Sequence, residues 1–432
     1  MKKNAAVRAP YFWVPSLYLA QGLPFFAVMH LTKVMLQDRG MAMDDITHWT
    51  AAIGFAWVFK PLWSPFIELA SSKKKVVVLF EMAGGVALGL VAVAMQMPFW
   101  FSACIAMLAV VAICAATHDI ACDGLYIASL DEKGQSEYAG WTGTFFNAGR
   151  VIASGGLVML AGVIAKQSGV VNAWTAIFAL VGAIMVGLGL YNWWALPPGQ
   201  NAAATSTTAR DIANTLGEVI LEYFRKPGIW VSVVFIILFR AGEAQVQTIG
   251  PLFLRATREL GGLGLTTVQL GSVYGSAGTI AFIVGSIGGG YFTARLGLKR
   301  AILPLILAVN LPNIVFYLLA LYQPTNMALI GVALSAEMFG YGFGFVGLIL
   351  YMMQVVAPGK YQTAHYALST GIMQLGFTLF KGVSGDVQMA LGYQHFFLWV
   401  LACAIPVAIM SQFISMTARQ SNPAEVPAPA VA

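Results

Sequence analysis

The stretch "GYFTARLGLKR", residues 290–300, is a short basic turn that joins two long apolar segments of the chain. Another basic turn, "ELASSKKK" at residues 68–75, joins two apolar segments near the N-terminus. Counted along the chain, the turn at 68–75 follows the second apolar segment and the turn at 290–300 follows the eighth. A turn that recurs six segments later predicts two parallel halves of six membrane-spanning helices each.

The composition is that of a membrane protein. Of the 432 residues, 59% are hydrophobic and only 10% are charged, whereas a soluble domain carries about 25% charged residues. Many apolar segments exceed the ~20 residues that cross a bilayer as a helix. The sequence therefore predicts an all-α integral membrane protein embedded in the lipid bilayer. In such a protein the net charge of +6 mainly concerns orientation, so we expect no nucleic-acid partner.

Twelve apolar segments are candidates for membrane-spanning helices. The first six cover about residues 12–35, 47–70, 76–97, 99–126, 138–165 and 171–195, and the second six cover about 229–254, 266–293, 300–322, 326–356, 363–387 and 394–417. They predict an N-terminal six-helix half (1–196), a linker with a surface helix (197–228), a C-terminal six-helix half (229–418) and a disordered Pro- and Ala-rich tail (419–432). The first segment carries Gln21, Gly22 and Pro24 in mid-span, so we expect a broken transmembrane helix beside a cavity rather than a signal peptide.

Lysine and arginine are unequally distributed between the loops. If the N-terminus lies inside, the inner loops and termini hold fifteen of these residues and the outer loops hold four. Basic residues concentrate on the cytoplasmic side of membrane proteins. We therefore expect a multi-pass protein of the inner (cytoplasmic) membrane with both termini and the linker in the cytoplasm.

The turn at 290–300 resembles the G-x-x-x-D-R-x-G-R-R loop of the major facilitator superfamily. The matching residues are Gly290, Arg295, Gly297, Lys299 and Arg300, while Ala294 replaces the acid of the family and Leu298 replaces a base. In the turn at 68–75, Glu68 stands at the place of the acid and the glycine is missing. The resemblance implies a major facilitator fold with twelve helices in two halves.

Three further stretches resemble the AmpG-like branch of that superfamily, the peptide, acetyl-CoA and drug transporter family. They are "LYLAQGLPF" (17–25), "VFKPLWSPFIE" (58–68) and "ATHDIACDGLYI" (116–127). The branch includes muropeptide permeases, which are longer than this chain, and single-component siderophore permeases. The resemblance implies a central cavity lined by helices one, four, seven and ten, which here carry Gln21, Asp119, Gln245 and Glu337.

The fourth span contains charged side chains that an apolar helix normally excludes. Asp119 and Asp123 are four residues apart, so they share one helix face. Two poorly solvated carboxylates that close do not both ionise readily, and they titrate as a coupled unit suited to carrying a proton. His118 beside them, Lys60 in span two and Arg150 in span five extend this candidate proton-coupling group. An alternative reading is a fixed ion-pair network.

A metal site is the other reading of the same stretch. His118 and Cys122 point about 100° away from Asp119 and Asp123 around the helix, and no second cluster supplies the converging ligands that zinc requires. We therefore expect no metal and no cofactor. Since all four cysteines fall in apolar segments, we expect buried structural thiols.

Polar residues in the second half are candidates for substrate binding. Together with Gln21 they are Arg240, Glu243, Gln245, Gln247, Glu337, Tyr341 and Lys381. Arg240 and Glu243 are three residues apart, and mutual neutralisation is an alternative role for them. Ionisable side chains in spans on both sides of the linker indicate one polar cavity between the halves.

These features predict a secondary transporter and no enzyme. We expect a monomer that couples protons to the uptake of a polar organic solute, such as a cell-wall-derived amino sugar or muropeptide, by alternating access. A siderophore permease and a drug exporter are the alternatives within the family. A membrane-embedded transferase would require a catalytic loop with a lipid or nucleotide motif, and a sensor would require an added soluble domain. The sequence shows neither feature.

Overall fold

The computed structural model describes residues 8–41, 43–70, 72–198 and 209–414, and these form helices without strands. The helices that precede the linker are α1 (Pro10–Asp38), α2 (43–69), α3 (Lys73–Ala94), α4 (Trp100–Ser129), α5 (Glu132–Ser168) and α6 (Val170–Ala195). Helix α7 (Ala209–Arg225) lies within the linker. The remaining helices are α8 (Ile229–Arg255), α9 (267–296), α10 (Leu298–Tyr322), α11 (Met327–Val356) and α12 (Gln362–Met410).

Nine helical segments of the described part of the chain are long and apolar enough to cross a membrane. These nine do not include α2 and α9, and α12 counts once although Gly392 interrupts it with a φ of 68°. The integral membrane, all-α prediction is confirmed, while the number twelve stays a prediction. The division into domains also stays a prediction, and residues 419–432 lie outside the described residues.

Turn residues with defined chemistry separate the helices. The Asp131 side chain accepts a hydrogen bond of 2.9 Å from the Gly134 amide and caps the start of α5. Gly297 has a φ of 75° and separates α9 from α10. A side chain at this position would strain the backbone, which explains the second glycine of the stretch 290–300.

The helices pack as two groups. In the first group α3 packs against α4 and α6, and α1 packs against α4, α5 and α6. In the second group α11 packs against α9 and α10, and α8 packs against α12. The groups meet where α5 crosses α9 and where α12 contacts α2 and α4.

The crossing of α5 and α9 is tight because it consists of small residues. A Cβ atom added at Gly140 would overlap with the carbonyl oxygen of Ser286 and with the backbone of Ile287, and one added at Gly290 would lie 2.8 Å from the carbonyl oxygen of Ser136. Small residues of this kind let helices approach within a membrane. This crossing brings the two groups together at the end of the bundle that carries Lys73 and Arg295, which we call the basic end.

Two inter-group hydrogen bonds lie at the same end. The Gln354 side chain of α11 donates to the Glu132 carbonyl oxygen at 2.9 Å and to the Ser136 hydroxyl at 3.3 Å. The Gly124 backbone of α4 lies against the Thr363 side chain of α12. The basic end is therefore closed by direct contact between the groups.

Candidate functional site

A cavity of about 360 Å³ lies between the two groups of helices. Side chains from α1, α2, α4 and α5 line one wall, and side chains from α8, α9, α11 and α12 line the other. This volume falls within the range of small-molecule sites, which are mostly apolar with a few placed polar groups. The cavity matches that description, because aromatic rings surround one ion pair on each wall.

The ion pair of the first wall joins Lys60 to Asp119. The Lys60 ammonium contacts one carboxylate oxygen of Asp119, and the Gln21 side-chain amide donates to the other. Lys60 begins a 3₁₀ turn of α2, in which Pro61 replaces a backbone donor and breaks the helix. The break in α2 is at the position from which the Lys60 ammonium reaches the carboxylate of Asp119 on α4. The side chains of Lys60 and Asp119 keep 13% and 11% of their surface exposed, which leaves the pair open to the cavity.

The second acid of α4 has a neutral partner. Asp123 lines the cavity and accepts a hydrogen bond of 3.1 Å from the Tyr18 hydroxyl. Arg150, which the sequence offered as a partner for these acids, instead donates to the Thr279 hydroxyl of α9 at 3.3 Å. One wall therefore holds two carboxylates and the ammonium of Lys60.

The ion pair of the second wall joins Arg240 to Glu243. The guanidinium makes two hydrogen bonds to the carboxylate, at 2.8 and 3.0 Å, and the Gln247 side chain donates to the same carboxylate. The guanidinium also lies 4.2 Å from the centre of the Phe377 ring. Tyr341 of α11 completes this part of the cavity lining. Arg240 and Glu243 therefore neutralise each other in the structure, which is one of the two roles that the sequence left open for them.

Seven predicted residues are not part of the cavity lining: Arg150, Glu243 and Gln247, whose contacts are given above, and four others. Gln245 packs between helices, where it accepts a hydrogen bond of 3.0 Å from the Trp399 indole. Lys381 is exposed on α12. Glu337 is buried on α11 with 4% of its surface exposed, and His118 is 1% exposed on a face of α4 that is turned about 100° from Asp119. These four side chains therefore lie outside the candidate substrate site.

Sequence reasoning missed two features of this region. The first is the aromatic lining, to which Tyr18, Tyr126, Phe146, Phe282, Phe345 and Tyr366 contribute. Aromatic residues are abundant throughout the chain, so their number carries no signal of position. The second is Glu81, which is 1% exposed within α3. An acid inside "VVVLFEMAGG" (76–85) satisfies the same criterion that selected Asp119, so the sequence did contain that signal.

The linker helix α7 is held at the basic end by polar contacts. The Tyr361 hydroxyl donates to the Glu218 carboxylate at 2.6 Å, and this hydrogen bond lowers the pKa of Glu218 below its ordinary value. The Lys226 ammonium, just after α7, donates to the carbonyl oxygens of Val356 and Pro358, at 2.8 Å each. These bonds tie α7 to the loop between α11 and α12.

Among the described residues, no group of three His, Cys, Asp or Glu side chains is placed to hold a metal ion. The four cysteines are free and buried. The chemistry that the described residues offer consists of ion pairs, hydrogen bonds and ring faces around a cavity.

Known proteins resemble this chain along most of its length. The anhydromuropeptide permease of Escherichia coli (strain K12) is 24% identical over 405 residues, which cover 91% of this chain and 77% of that protein. The AmpG 4 protein of Rickettsia conorii is 22% identical over 418 residues, which cover 92% and 95%. These relatives confirm the resemblance to the AmpG-like branch.

Solved structures share the fold. The transporter FucP in its outward conformation matches with a TM-score of 0.69 at 14% identity, over 94% of this chain and 99% of that chain. The human organic anion transporter MFSD10 matches with a TM-score of 0.62 at 16% identity, over 92% and 98%. The sequence profile described as Major Facilitator Superfamily matches residues 15–383. The chain therefore belongs to the major facilitator superfamily and is a transporter rather than an enzyme.

Proposed function

We propose that the protein couples protons to the uptake of a polar organic solute across the cytoplasmic membrane, by alternating access. The observation that carries the proposal is the cavity between the two groups of helices, with an ion pair on each wall. Its substrate would be an amino sugar or a muropeptide derived from the cell wall. The name of the Escherichia coli relative, an anhydromuropeptide permease, supports this substrate class.

The lining suits a sugar that carries charged or amide groups. Aromatic rings offer flat apolar faces to the C–H groups of a sugar ring, and Tyr18, Tyr341 and Tyr366 add hydroxyl groups at the same surface. Lys60 and Arg240 lie on opposite walls and offer donors to carboxylate or amide oxygens. A purely apolar solute would remove water from these polar groups without replacing the hydrogen bonds that the water made.

The first wall is the proposed site of proton exchange. Asp119 and Asp123 are one helical turn apart, and both lie near the single ammonium of Lys60. With both acids ionised, this wall carries one negative charge in excess, which a proton would neutralise. Asp123 accepts its hydrogen bond from the neutral Tyr18 hydroxyl, whereas Asp119 contacts the Lys60 ammonium. We therefore propose Asp123 as the acid that exchanges the proton and Asp119 as the fixed member of the ion pair.

The closed basic end supports alternating access. The halves would rock about the cavity, and the crossing of α5 and α9 would separate when the basic end opens. Because loop lysines and arginines favour the inside, we propose that the basic end and both termini face the cytoplasm. The conformation described here would then be the one that receives substrate from outside.

Uptake into proteoliposomes tests the proposal. An imposed pH gradient, acidic outside, is expected to drive accumulation of a labelled GlcNAc–anhydromuramyl compound. Asp123→Asn is expected to abolish gradient-driven accumulation, because an amide does not exchange the proton. Asp386→Asn, at an exposed position of α12, serves as the matched control with wild-type uptake.

Two results would overturn parts of the proposal. If uptake does not depend on the pH gradient and is unaltered in Asp119→Asn and Asp123→Asn, the proposal of proton coupling is refuted. Uptake of a ferric siderophore without uptake of the amino sugar would replace the substrate class.

A further inference from the structure

A second polar cluster is buried in the first group of helices, behind the cavity wall. Glu81 of α3, His118 of α4 and Asn192 of α6 are each at most 1% exposed. The Asn192 side-chain amide donates to both oxygens of Glu81 at 3.0 Å, and its own oxygen accepts a hydrogen bond of 2.7 Å from the Ser16 hydroxyl of α1. The cluster therefore links four helices.

The histidine of this cluster is poised beside the acid without a competing partner. Its Nε2 atom lies 3.9 Å from a carboxylate oxygen of Glu81. Neither ring nitrogen of His118 has a hydrogen-bond partner within the described ranges of the chain. A buried polar nitrogen without a partner is rare in native proteins and requires an explanation.

Charge balance sets the number of protons that the cluster holds. Among the described residues, the helices packed around Glu81 also bring the Cys122 thiol of α4 and, towards the cavity, the Asp119 carboxylate to this region. Asp119 is already paired with Lys60. If Glu81 is ionised and His118 neutral, a buried anion remains without a cation, and if both are protonated, a buried cation remains without an anion. One shared proton leaves the pair neutral in either arrangement.

We propose that Glu81 and His118 share one proton and form a second proton-binding site of the transport cycle, outside the substrate cavity. This inference rests on the proposed proton-coupled transport. The proton moves between Glu81 Oε2 and His118 Nε2 without a change of net charge, and it leaves the cluster by transfer to a water molecule when the basic end opens. Glu81 lies eight residues after Lys73, about 12 Å along α3 from the basic end.

The cluster is mechanically connected to the cavity. His118 directly precedes Asp119 on α4, so a shift of this helix at the ion pair also moves the histidine. Ser16 lies on α1, the helix that presents Tyr18 and Gln21 to the cavity. Substrate binding at these two helices therefore acts on both partners of the cluster.

Two transport modes separate a proton-binding role from a structural one. Net accumulation driven by a pH gradient requires the proton to be bound and released, whereas exchange of labelled for unlabelled solute at equal pH does not. In Glu81→Gln and His118→Asn we expect exchange at the wild-type rate, with an accumulation ratio below that of the wild-type protein, because Asp123 alone then exchanges a proton. Glu259→Gln, an exposed acid between α8 and α9, is the matched control with full accumulation.

The remaining outcomes contradict the inference in distinguishable ways. Wild-type accumulation in Glu81→Gln would show that Glu81 takes no part in coupling, while the proposed function would stand. If both variants lose exchange as well as accumulation, the cluster has a structural role alone. Absence of gradient-driven accumulation in the wild-type protein would remove the proposed function and this inference with it.

Discussion

Replacement of Gly140 by alanine is expected to open the basic end. Gly140 lies on α5 at the crossing with α9, where a Cβ atom would overlap with the carbonyl oxygen of Ser286. Because the opposing atoms belong to the backbone of Ile287 and Ser286, no side chain can rotate away to make room. The closed arrangement must therefore separate or deform, whereas an open arrangement has no such contact.

The magnitude follows from the cost of overpacking. Extra methyl groups in a packed interior cost about 1–3 kcal/mol. If this cost falls on the closed arrangement alone, the ratio of open to closed protein rises by roughly 5- to 150-fold. Alanine also raises helix propensity by about 1 kcal/mol relative to glycine. That contribution acts on both arrangements and cancels in the ratio.

Cysteine labelling measures this shift. A cysteine introduced at Ser136, which is 4% exposed beside α9, is expected to react slowly with a permeant maleimide in the wild-type background and faster with Gly140→Ala. Gly162→Ala is the matched control, since it lies on the same helix and a Cβ atom there meets nothing within 4 Å. Equal labelling rates in the two variants would refute the assignment of this crossing as the closure of the basic end.

Three further predictions concern the second wall and the linker helix. Arg240→Ala leaves the carboxylate of Glu243 buried without a cation, so we expect a loss of about 3–5 kcal/mol in unfolding free energy, measured by denaturation in detergent. The Tyr361 hydroxyl lowers the pKa of Glu218 from 4.5, so the stabilisation of docked α7 is present above pH 4.5 and is lost as the pH falls through the lowered pKa. Amide hydrogen exchange of α7, corrected for its intrinsic pH dependence, should rise in that window in the wild-type protein and should rise less in Tyr361→Phe, in which the pKa of Glu218 is less strongly lowered. Gln245→Leu should leave the apparent affinity for solute unchanged in uptake assays, because Gln245 packs between α8 and α12 and does not line the cavity.

The fold class could be predicted from the sequence because the constraints that a bilayer imposes act directly on the order of residues along the chain. Apolar length, basic turns and loop charge follow from the bilayer itself, and residues 68–75 and 290–300 mark the repetition of the halves. The number of spans is less visible. Helix α12, for example, continues through Gly392 without a polar loop.

The candidate site could be predicted only in part, because the face that a helix turns to the cavity depends on its neighbours. On α8, Arg240, Glu243 and Gln247 recur at spacings of three and four and so form one stripe. Gln245 is two residues from Glu243, about 200° around the helix, and helical periodicity alone could have excluded it. On α4 the same period separates His118 from Asp119, but the sequence does not tell which of the two faces the cavity.

The two ion pairs differ in how easily a substrate can displace them. Arg240 makes two hydrogen bonds to Glu243, which also receives Gln247, and a bidentate pair of this kind is among the strong charge-assisted contacts. Lys60 contacts one oxygen of Asp119 from a flexible stem. An anionic group of a substrate therefore competes more readily for Lys60 than for Arg240. In the proposed cycle, Lys60 turns to the substrate, the two carboxylates one turn apart lose their shared cation, and a proton enters to neutralise the wall. The proposal therefore couples substrate and proton at the first wall, and it keeps the charge of the second wall fixed.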